Sequence, residues 1–514
     1  MIKWLDNAIF YQVYPQSFND TNADGIGDLQ GIIEKLDYIK ELGCNAIWLN
    51  PCFLSPFGDA GYDVQDFYSV APRYGTNEDL KQLFDEVHKR DMHILLDLVA
   101  GHTSIEHNWF KEAQKAGKNK YTNRYVWTDS VWWSLPENMN YIRGISDRDG
   151  CCAVNFFSFQ PALNYGFYNV TEPWQHSCNS PEAKEMREEL KNIMRFWLGM
   201  GCDGFRVDMA ASLVKNDPES KGTIALWQNI REFLEKEFPD AVMISEWGEP
   251  DKALLGGFHM DFILPNEFMH SNDLFRCDEP FFSSRGKGDV SEFANKYIET
   301  YKKAGKEGLI CIPSGNHDSD RLSKRLSGDE LKIVFAFLLS MPGVPFIYYG
   351  DEIGMRYLEN TGSIEGGFFR TGSRSPMQWD GGTNAGFSSA PQEKLYIKLD
   401  DDINRPTVEK QLADEKSLLN EIKKLIKVRL SEKALQSRGD IKFVYAEKNK
   451  YPLAYIRSNG DDKILIVINP SKRKVKFECN YSIGETIYNF GKAVICENSQ
   501  LTVMEQSAGF YRII

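Results

Sequence analysis

Short runs rich in Ile, Val, Phe and Tyr alternate along the chain with longer stretches whose apolar residues recur every three to four positions. That alternation predicts strand–helix units laid around a parallel sheet. Strands are expected at Ile9–Tyr14, Ala46–Leu49, His93–Val99, Gly204–Val207, Val242–Ser245, Phe262–Leu264, Leu309–Pro313 and Val344–Tyr349. Helices are expected over Leu29–Leu42, Asn77–Arg90, Pro181–Met200, Thr223–Glu237 and Ser327–Ser340. Eight strands with intervening helices give an α/β fold, the (β/α)8 barrel. A polar and aromatic stretch from about Ser104 to Val170 follows the third strand, and a Gly/Ser-rich stretch from about Glu359 to Pro406 follows the eighth. Both leave C-terminal strand ends, where such barrels build pockets. From about Ser431 the texture turns to short alternating runs such as Ile441–Tyr445, Leu453–Arg457, Lys463–Asn469 and Val475–Cys479. The expected organisation is therefore a barrel over 1–103 and 171–430, an inserted domain over 104–170, and an antiparallel β-sandwich over 431–514.

Hydrophobic residues make up 42% of the 514 positions and aromatics 13%, which supports a large core and excludes disorder. The 73 acidic residues outnumber the 60 basic ones, which argues against nucleic acid or an anionic membrane as the main partner. The first residues lack a charged region followed by an apolar stretch, and no run of about 18 uncharged apolar residues occurs. The expectation is a cytoplasmic protein, monomeric or weakly homo-oligomeric. Ten Cys at irregular spacing, without CxxC, read as buried reduced thiols.

The chemistry-bearing residues fall where the expected strands end. Gly204-Phe205-Arg206-Val207-Asp208 closes the fourth, Ile244-Ser245-Glu246-Trp247 the fifth, and Ser314-Gly315-Asn316-His317-Asp318 follows the seventh. His102 follows the third strand, and Gly61-Tyr62-Asp63 lies after the second. A lone carboxylate there reads as a cap or ion-pair partner. Three together, Asp208, Glu246 and Asp318, point to glycosidic cleavage, which needs one ionised and one protonated carboxyl group. Arg206, two residues before Asp208 and so on the same strand face, is expected to hold Asp208 ionised. Glu246, beside Trp247 and apolar neighbours, is expected to keep a raised pKa and act as the acid.

These residues resemble the α-amylase family of glycoside hydrolases (family 13), and within it the oligo-1,6-glucosidase and α-glucosidase group. The resemblance runs from Ile9-Phe10-Tyr11-Gln12-Val13-Tyr14-Pro15 to Pro376-Met377-Gln378-Trp379-Asp380 and on to the terminal β domain. Its motifs here are Asp97-Leu98-Val99-Ala100-Gly101-His102, Gly204 to Asp208, Glu246-Trp247 and Asn316-His317-Asp318. It implies a retaining mechanism with Asp208 as nucleophile, Glu246 as acid/base and Asp318 as stabiliser of the distorted sugar. It also implies that His102, His317, Arg206, Asp63 and Tyr62 line the glucosyl subsite, Tyr62 as stacking platform. Gln160-Pro161-Ala162-Leu163-Asn164 leans towards the oligo-1,6-glucosidase side, with Ala162 where Asp is usual, and Phe157 adds an aromatic wall. Arg374 matches an arginine that pairs with an aspartate, here Asp63, to close the pocket, which implies exo action.

Asp20-Thr21-Asn22-Ala23-Asp24-Gly25-Ile26-Gly27-Asp28 places oxygen side chains at alternate positions around a permissive glycine, a pattern suited to a hard cation. Ca2+ is the expected ion, with Mg2+ the alternative. The resemblance implies that Asp20, Asn22, Asp24 and Asp28 give side chains and Ile26 its carbonyl. Gly101 stands where the family has an Asn ligand of a second calcium site, so that site is expected empty. Met209 follows Asp208 where small or β-branched residues are usual, leaving α-1,4 against α-1,6 preference open. The implied function is an α-glucosidase on short malto-oligosaccharides. The alternatives are an α-amylase on longer α-glucans, a transglycosylase or isomerase such as trehalose synthase, and a non-catalytic relative.

Overall fold

A computed structural model of the chain describes residues 2–136, 139–264, 268–305, 308–497 and 499–514. Met1, where the sequence reading looked for a leader, lies outside them. Backbone contacts divide the chain into two compact units: Met1–Ile47, Phe262–Gly362 and Phe369–Ile514 form one, Trp48–Asp261 and Ser363–Phe368 the other.

The main sheet has eight strands: β1 (Phe10–Val13), β2 (Ala46–Leu49), β3 (His93–Leu98), β4 (Gly204–Val207), β5 (Val242–Ser245), β6 (Met260–Phe262), β7 (Leu309–Cys311) and β8 (Phe346–Tyr348). Their order is β7-β6-β5-β4-β3-β2-β1-β8. Within the first unit β1 pairs in parallel with β8, Phe10 against Phe346, and a parallel bridge links Pro313, just past β7, to the same Phe346. First beside last, and last beside seventh, is the strand sequence of a (β/α)8 barrel. Its strands are buried on both faces, which is why they read as continuous apolar runs.

Within the second unit, β3, β4, β5 and β6 pair in parallel with Asp97 against Arg206, Val207 against Ser245, and Asp261 against Ser245. One step beyond the Val207–Ser245 pair, the chain places Asp208 and Glu246 at adjacent strand ends. β6 begins two residues earlier than expected because Asp261 interrupts the apolar pattern, yet is fully buried.

The helices follow their 3.6-residue stripes. Pro181–Met200 starts on a Ser180 cap with Pro at its first position and stops at Gly201, φ +118°, the start and stop chemistry helices favour. The stretch expected as one helix from Leu29 splits at Lys35 into Leu29–Glu34 and Leu36–Leu42, the first capped by Asp28. The inserted region is mostly irregular around one short antiparallel pair, Tyr141–Arg143 with Cys151–Ala153. Of its tryptophans, Trp127 and Trp174 are core while Trp132 and Trp133 are exposed.

The C-terminal region is antiparallel: one five-stranded sheet and one three-stranded sheet share a single apolar cluster including Ile456, Val467, Phe477 and Leu501. Two buried arginines tie this region to the helix Asp329–Ser340 without any carboxylate. Arg429 donates to the carbonyls of Leu339 (2.8 Å), Met341 (2.9 Å) and Gly343 (2.6 Å). Arg457, on the strand Leu453–Asn459, donates to the carbonyl of Ser340 and to those of Gln436 (2.8 Å) and Gly439 (3.2 Å). Carbonyls at that helix end have no partners within the helix, and the guanidinium groups supply them. Seven of the ten cysteines are buried. No helix among the described residues is long and apolar enough to cross a membrane.

Candidate active site

Arg206 is the hub of the second unit's site. Its Nη1 donates to Asp97 Oδ1 at 2.6 Å and to Asp208 Oδ1 at 3.2 Å, and its Nη2 lies 2.9 Å from Glu246 Oε1. The sequence reading missed Asp97, which is the shortest of the three pairs. Register explains it: Asp97 and Arg206 are direct cross-strand partners, so their side chains leave the same face. Asp97 also accepts from Trp48 Nε1 at 2.9 Å and Tyr62 OH at 3.1 Å. Its side chain is 0% exposed, against 10% for Asp208 and 19% for Glu246, so the latter two are the carboxylates a ligand can reach.

One guanidinium among three carboxylates leaves this cluster short of positive charge. Burial, then the Glu246 charge, push the Asp208 carboxyl well above the usual range, and Arg206 only partly offsets them. The expectation that Arg206 simply holds Asp208 ionised is therefore corrected: Arg206 is shared among three carboxylates, and the Asp208 carboxyl stays less acidic than usual. The backbone fixes both acids. Asp208 N–H bonds Leu98 O and Glu246 N–H bonds Val207 O, each at 3.0 Å. Met209 sits at φ +44° and turns its N–H onto Glu246 Oε2 at 3.0 Å, a left-handed conformation costing about 1–3 kcal/mol for such a residue. Asp261, a second residue not foreseen, accepts from Ser245 Oγ (2.6 Å), Trp247 N–H (3.1 Å) and Gly248 N–H (3.1 Å). It braces the turn that carries Glu246.

His102 is present but occupied. Its Nε2 faces the Tyr62 carbonyl at 3.1 Å and its Nδ1 faces Asn155 Nδ2 at 3.2 Å, which puts the ring proton on Nε2. Burial pushes its pKa down to about 4, so the ring is neutral near about pH 7. Tyr62 is buried, its hydroxyl held by Asn50 and Asp97. Asp63, expected to meet Arg374, spends its carboxylate on its own loop: Gly58 N–H at 2.8 Å, Asp59 N–H at 3.0 Å and Ser55 Oγ at 3.0 Å. Beside Gly101, a Cβ would come within 2.6 Å of Asn155 Nδ2, so an Asn at this position would have to displace the Asn155 amide. Lys215 donates there to Asn155 Oδ1 (3.2 Å) and Ser212 O (2.5 Å), and burial pushes its ammonium down to about 8. Phe157 stacks on Phe159 with ring centroids 5.1 Å apart.

In the first unit, Asp318 is surrounded by positive charge. Its Oδ1 takes Arg370 Nη1 at 2.7 Å and Arg374 Nη2 at 3.0 Å, and its Oδ2 lies 3.0 Å from His317 Nε2. Burial alone would raise its pKa, but His317, Arg374 and Arg370 together hold it well below the usual carboxylate range. Gln12 Nε2, on β1, lies 3.1 Å from His317 Nδ1, which leaves the Nε2 proton for Asp318. Arg374 is buried and also donates to His317 O at 2.8 Å. It is an anchor of Asp318, and Arg370 beside it was not foreseen.

The Asp20–Asp28 loop turns on itself. Asp20 accepts from Asn22, Ala23 and Gly25 N–H groups and from Ser388 Oγ, while Asp28 accepts from Thr21 and from Gly31 N–H. Asn22 and Asp24 each accept the N–H two residues on. Among the described residues no three Asp, Glu, His or Cys side chains gather as a metal-ligand group. As placed, Asp20, Asn22, Asp24, Asp28 and Ile26 fit a loop closed by Asx turns rather than a cation cage, and no chemical step is routed through a metal.

Paired carboxylates at adjacent ends of parallel barrel strands, sharing one guanidinium, mark an enzyme that cleaves glycosidic bonds. The chain belongs to the α-amylase family: the family described as Alpha amylase, catalytic domain matches residues 12–438, and the protein is a glycoside hydrolase. It is 32% identical to the trehalose synthase/amylase TreS of Mycolicibacterium smegmatis over 93% of this chain and 86% of that protein. With the glucan 1,6-alpha-glucosidase of Streptococcus pneumoniae it shares 30% identity over 97% of this chain and 95% of that one. The solved trehalulose synthase MutB of Pseudomonas mesoacidophila MX-45 superposes with a TM-score of 0.84 at 27% identity, covering 99% of each chain.

Proposed function

We propose that the protein is a retaining α-glucosidase that releases glucose from the non-reducing end of short malto-oligosaccharides, mainly at α-1,4 bonds and also at α-1,6 bonds. The observation that carries it is the placement of Asp208 and Glu246 at adjacent strand ends on one guanidinium, that of Arg206. In the productive form Glu246 carries a proton and Asp208 is ionised. Asp208 Oδ attacks the anomeric carbon, Glu246 protonates the glycosidic oxygen, and the aglycone leaves a glucosyl ester on Asp208. Water then attacks the same carbon, Glu246 takes its proton, and the Asp208 carboxylate is released. Asp318, kept ionised, accepts sugar hydroxyls, and Phe157 adds apolar wall. Relatives named glucosidase that span nearly the whole chain support the exo reading, and cysteines that are mostly buried support a cytoplasmic setting.

A second reading has support of its own: relatives named trehalose synthase and trehalulose synthase share the chain's full extent. There a sugar hydroxyl replaces water in the second step. Early product analysis decides. Equal glucose and maltohexaose from maltoheptaose support the glucosidase, mixed shorter fragments point to an α-amylase, and trehalose from maltose points to an isomerase.

A further inference from the structure

Ser363–Phe368, inside the insertion after β8, belongs to the second unit, and three features fix it there. Glu365 meets Arg73 through two hydrogen bonds, Nη1 to Oε1 at 2.6 Å and Nη2 to Oε2 at 3.0 Å, with both side chains less than one-fifth exposed. This is the strong bidentate geometry of an arginine–carboxylate pair. The guanidinium also lies 3.4 Å from the Phe57 ring centroid. Gly366, at φ +67°, passes so close to the Gly58 carbonyl oxygen that a Cβ would come within 2.6 Å. Glu365 and Phe368 sit at φ +44° and +46°, conformations such residues keep only when their surroundings impose them.

What this strap delivers is the Phe368 ring, 6.0 Å from that of Phe157, which meets Phe156 edge-on at 4.6 Å. Phe368 is 58% exposed and Phe156 52%, an apolar face serving no core. It is tied to the carboxylate pair through Asn155, whose Nδ2 reaches Met209 Sδ at 3.7 Å while Met209 N–H holds Glu246. Asn155, the chain neighbour of Phe156, thus joins the base of this wall to the residue that holds the acid/base, the group that meets the leaving and the incoming sugar oxygen. Aromatic faces offer a sugar ring a large apolar contact.

We propose that the Arg73–Glu365 pair is a positioning device for acceptor choice: by holding Phe368 against Phe157 it maintains a wall that binds the acceptor sugar, and so favours transfer to sugar over transfer to water. This rests on the glycosidase reading above. The test uses the intact protein and two donors. α-D-Glucosyl fluoride has a one-atom leaving group and reports the carboxylate pair. Concentrated maltose, donor and acceptor together, reports the ratio of transfer products to free glucose by chromatography. Glu365→Gln is expected to lower that ratio about three- to tenfold, the size of one lost ring contact, with kcat/KM on the fluoride within about twofold of wild type. Phe368→Ala lowers the ratio equally, and the double variant no further, because both changes remove the same ring. Phe368→Ala alters an exposed side chain and carries the test if Glu365→Gln does not fold. An unchanged ratio, additive losses, or an equal loss on the fluoride would overturn the proposal. A wild type inactive on both donors would overturn the glycosidase reading, and this inference with it.

Discussion

Arg206 answers to three carboxylates, whereas Asp318 is answered by two arginines and a histidine. Both sets are built from the same few residue types at strand ends, and both are substantially buried. Their charge ratios run in opposite directions, and so do the proton affinities: Asp208 is raised and Asp318 lowered. The difference teaches that a carboxylate's task is set by how many cations it must share. A pair that has to pass a proton back and forth is kept short of positive charge, and an acid that has to stay ionised is given a surplus.

Substitutions at the pair should have the largest effects. Asp208→Asn is expected to cut kcat on maltose by about 10^4-fold or more with an unchanged circular dichroism spectrum; a residual rate within tenfold of wild type would break the comparison at its root. Glu246→Gln is expected to cost about 10^2- to 10^4-fold on the same substrate. It should also erase the alkaline limb of the pH–rate profile, because Gln at the acid position has no proton to lose as pH rises. Next comes stability. The depressed Asp318 contributes above the ordinary carboxylate range, near about pH 4, and that contribution disappears as pH falls through its folded value. Asp318→Asn should therefore lower Tm at pH 7 and lower it progressively less as pH falls below about 4; an equal loss at every pH would mean the cations around it contribute nothing.

Lys215 tests the same rule on a cation. Its proton is held less tightly in the folded chain, so the unfolded chain binds more protons between about pH 8 and about 10.4, and stability rises with pH across that window. Lys215→Met should flatten the rise in a Tm–pH series. The smallest effect is expected from chelation: EDTA should shift Tm by less than about 2 °C, and a larger drop restored by Ca2+ would turn the Asp20–Asp28 loop back into a cation site.

The barrel strands were legible because strands buried on both faces leave unbroken apolar runs, and their ends led directly to Arg206, Asp208, Glu246 and Asp318. The failures share one cause: a sequence shows which polar groups are near a turn, not which partner each will choose. Asp261 broke an apolar run and pushed β6 two residues late, although its buried carboxylate is what braces the Glu246 turn. Asp97 opened a quoted motif, but its bond to Arg206 depends on strand register. Oxygen side chains at alternate positions suit a cation and suit backbone N–H groups equally, and in the Asp20–Asp28 loop the N–H groups have them. The bonds of Asp63 within its own loop and of Arg374 to Asp318 are likewise partners that no charge pattern along the chain displays.

The change of texture near Ser431 invites a reading of the last eighty or so residues as a detachable module. Arg429 and Arg457 argue otherwise. Arg457 reaches from its strand to the Ser340 carbonyl at the end of Asp329–Ser340, beside Arg429 on Leu339 and Met341. A chain cut at Ser431 would lose Arg457 and leave the Ser340 carbonyl in apolar surroundings, which costs about 1–3 kcal/mol. Melting of the helix and of the terminal sheet should then be a single cooperative event, and the border drawn by sequence texture marks no seam along which the protein comes apart.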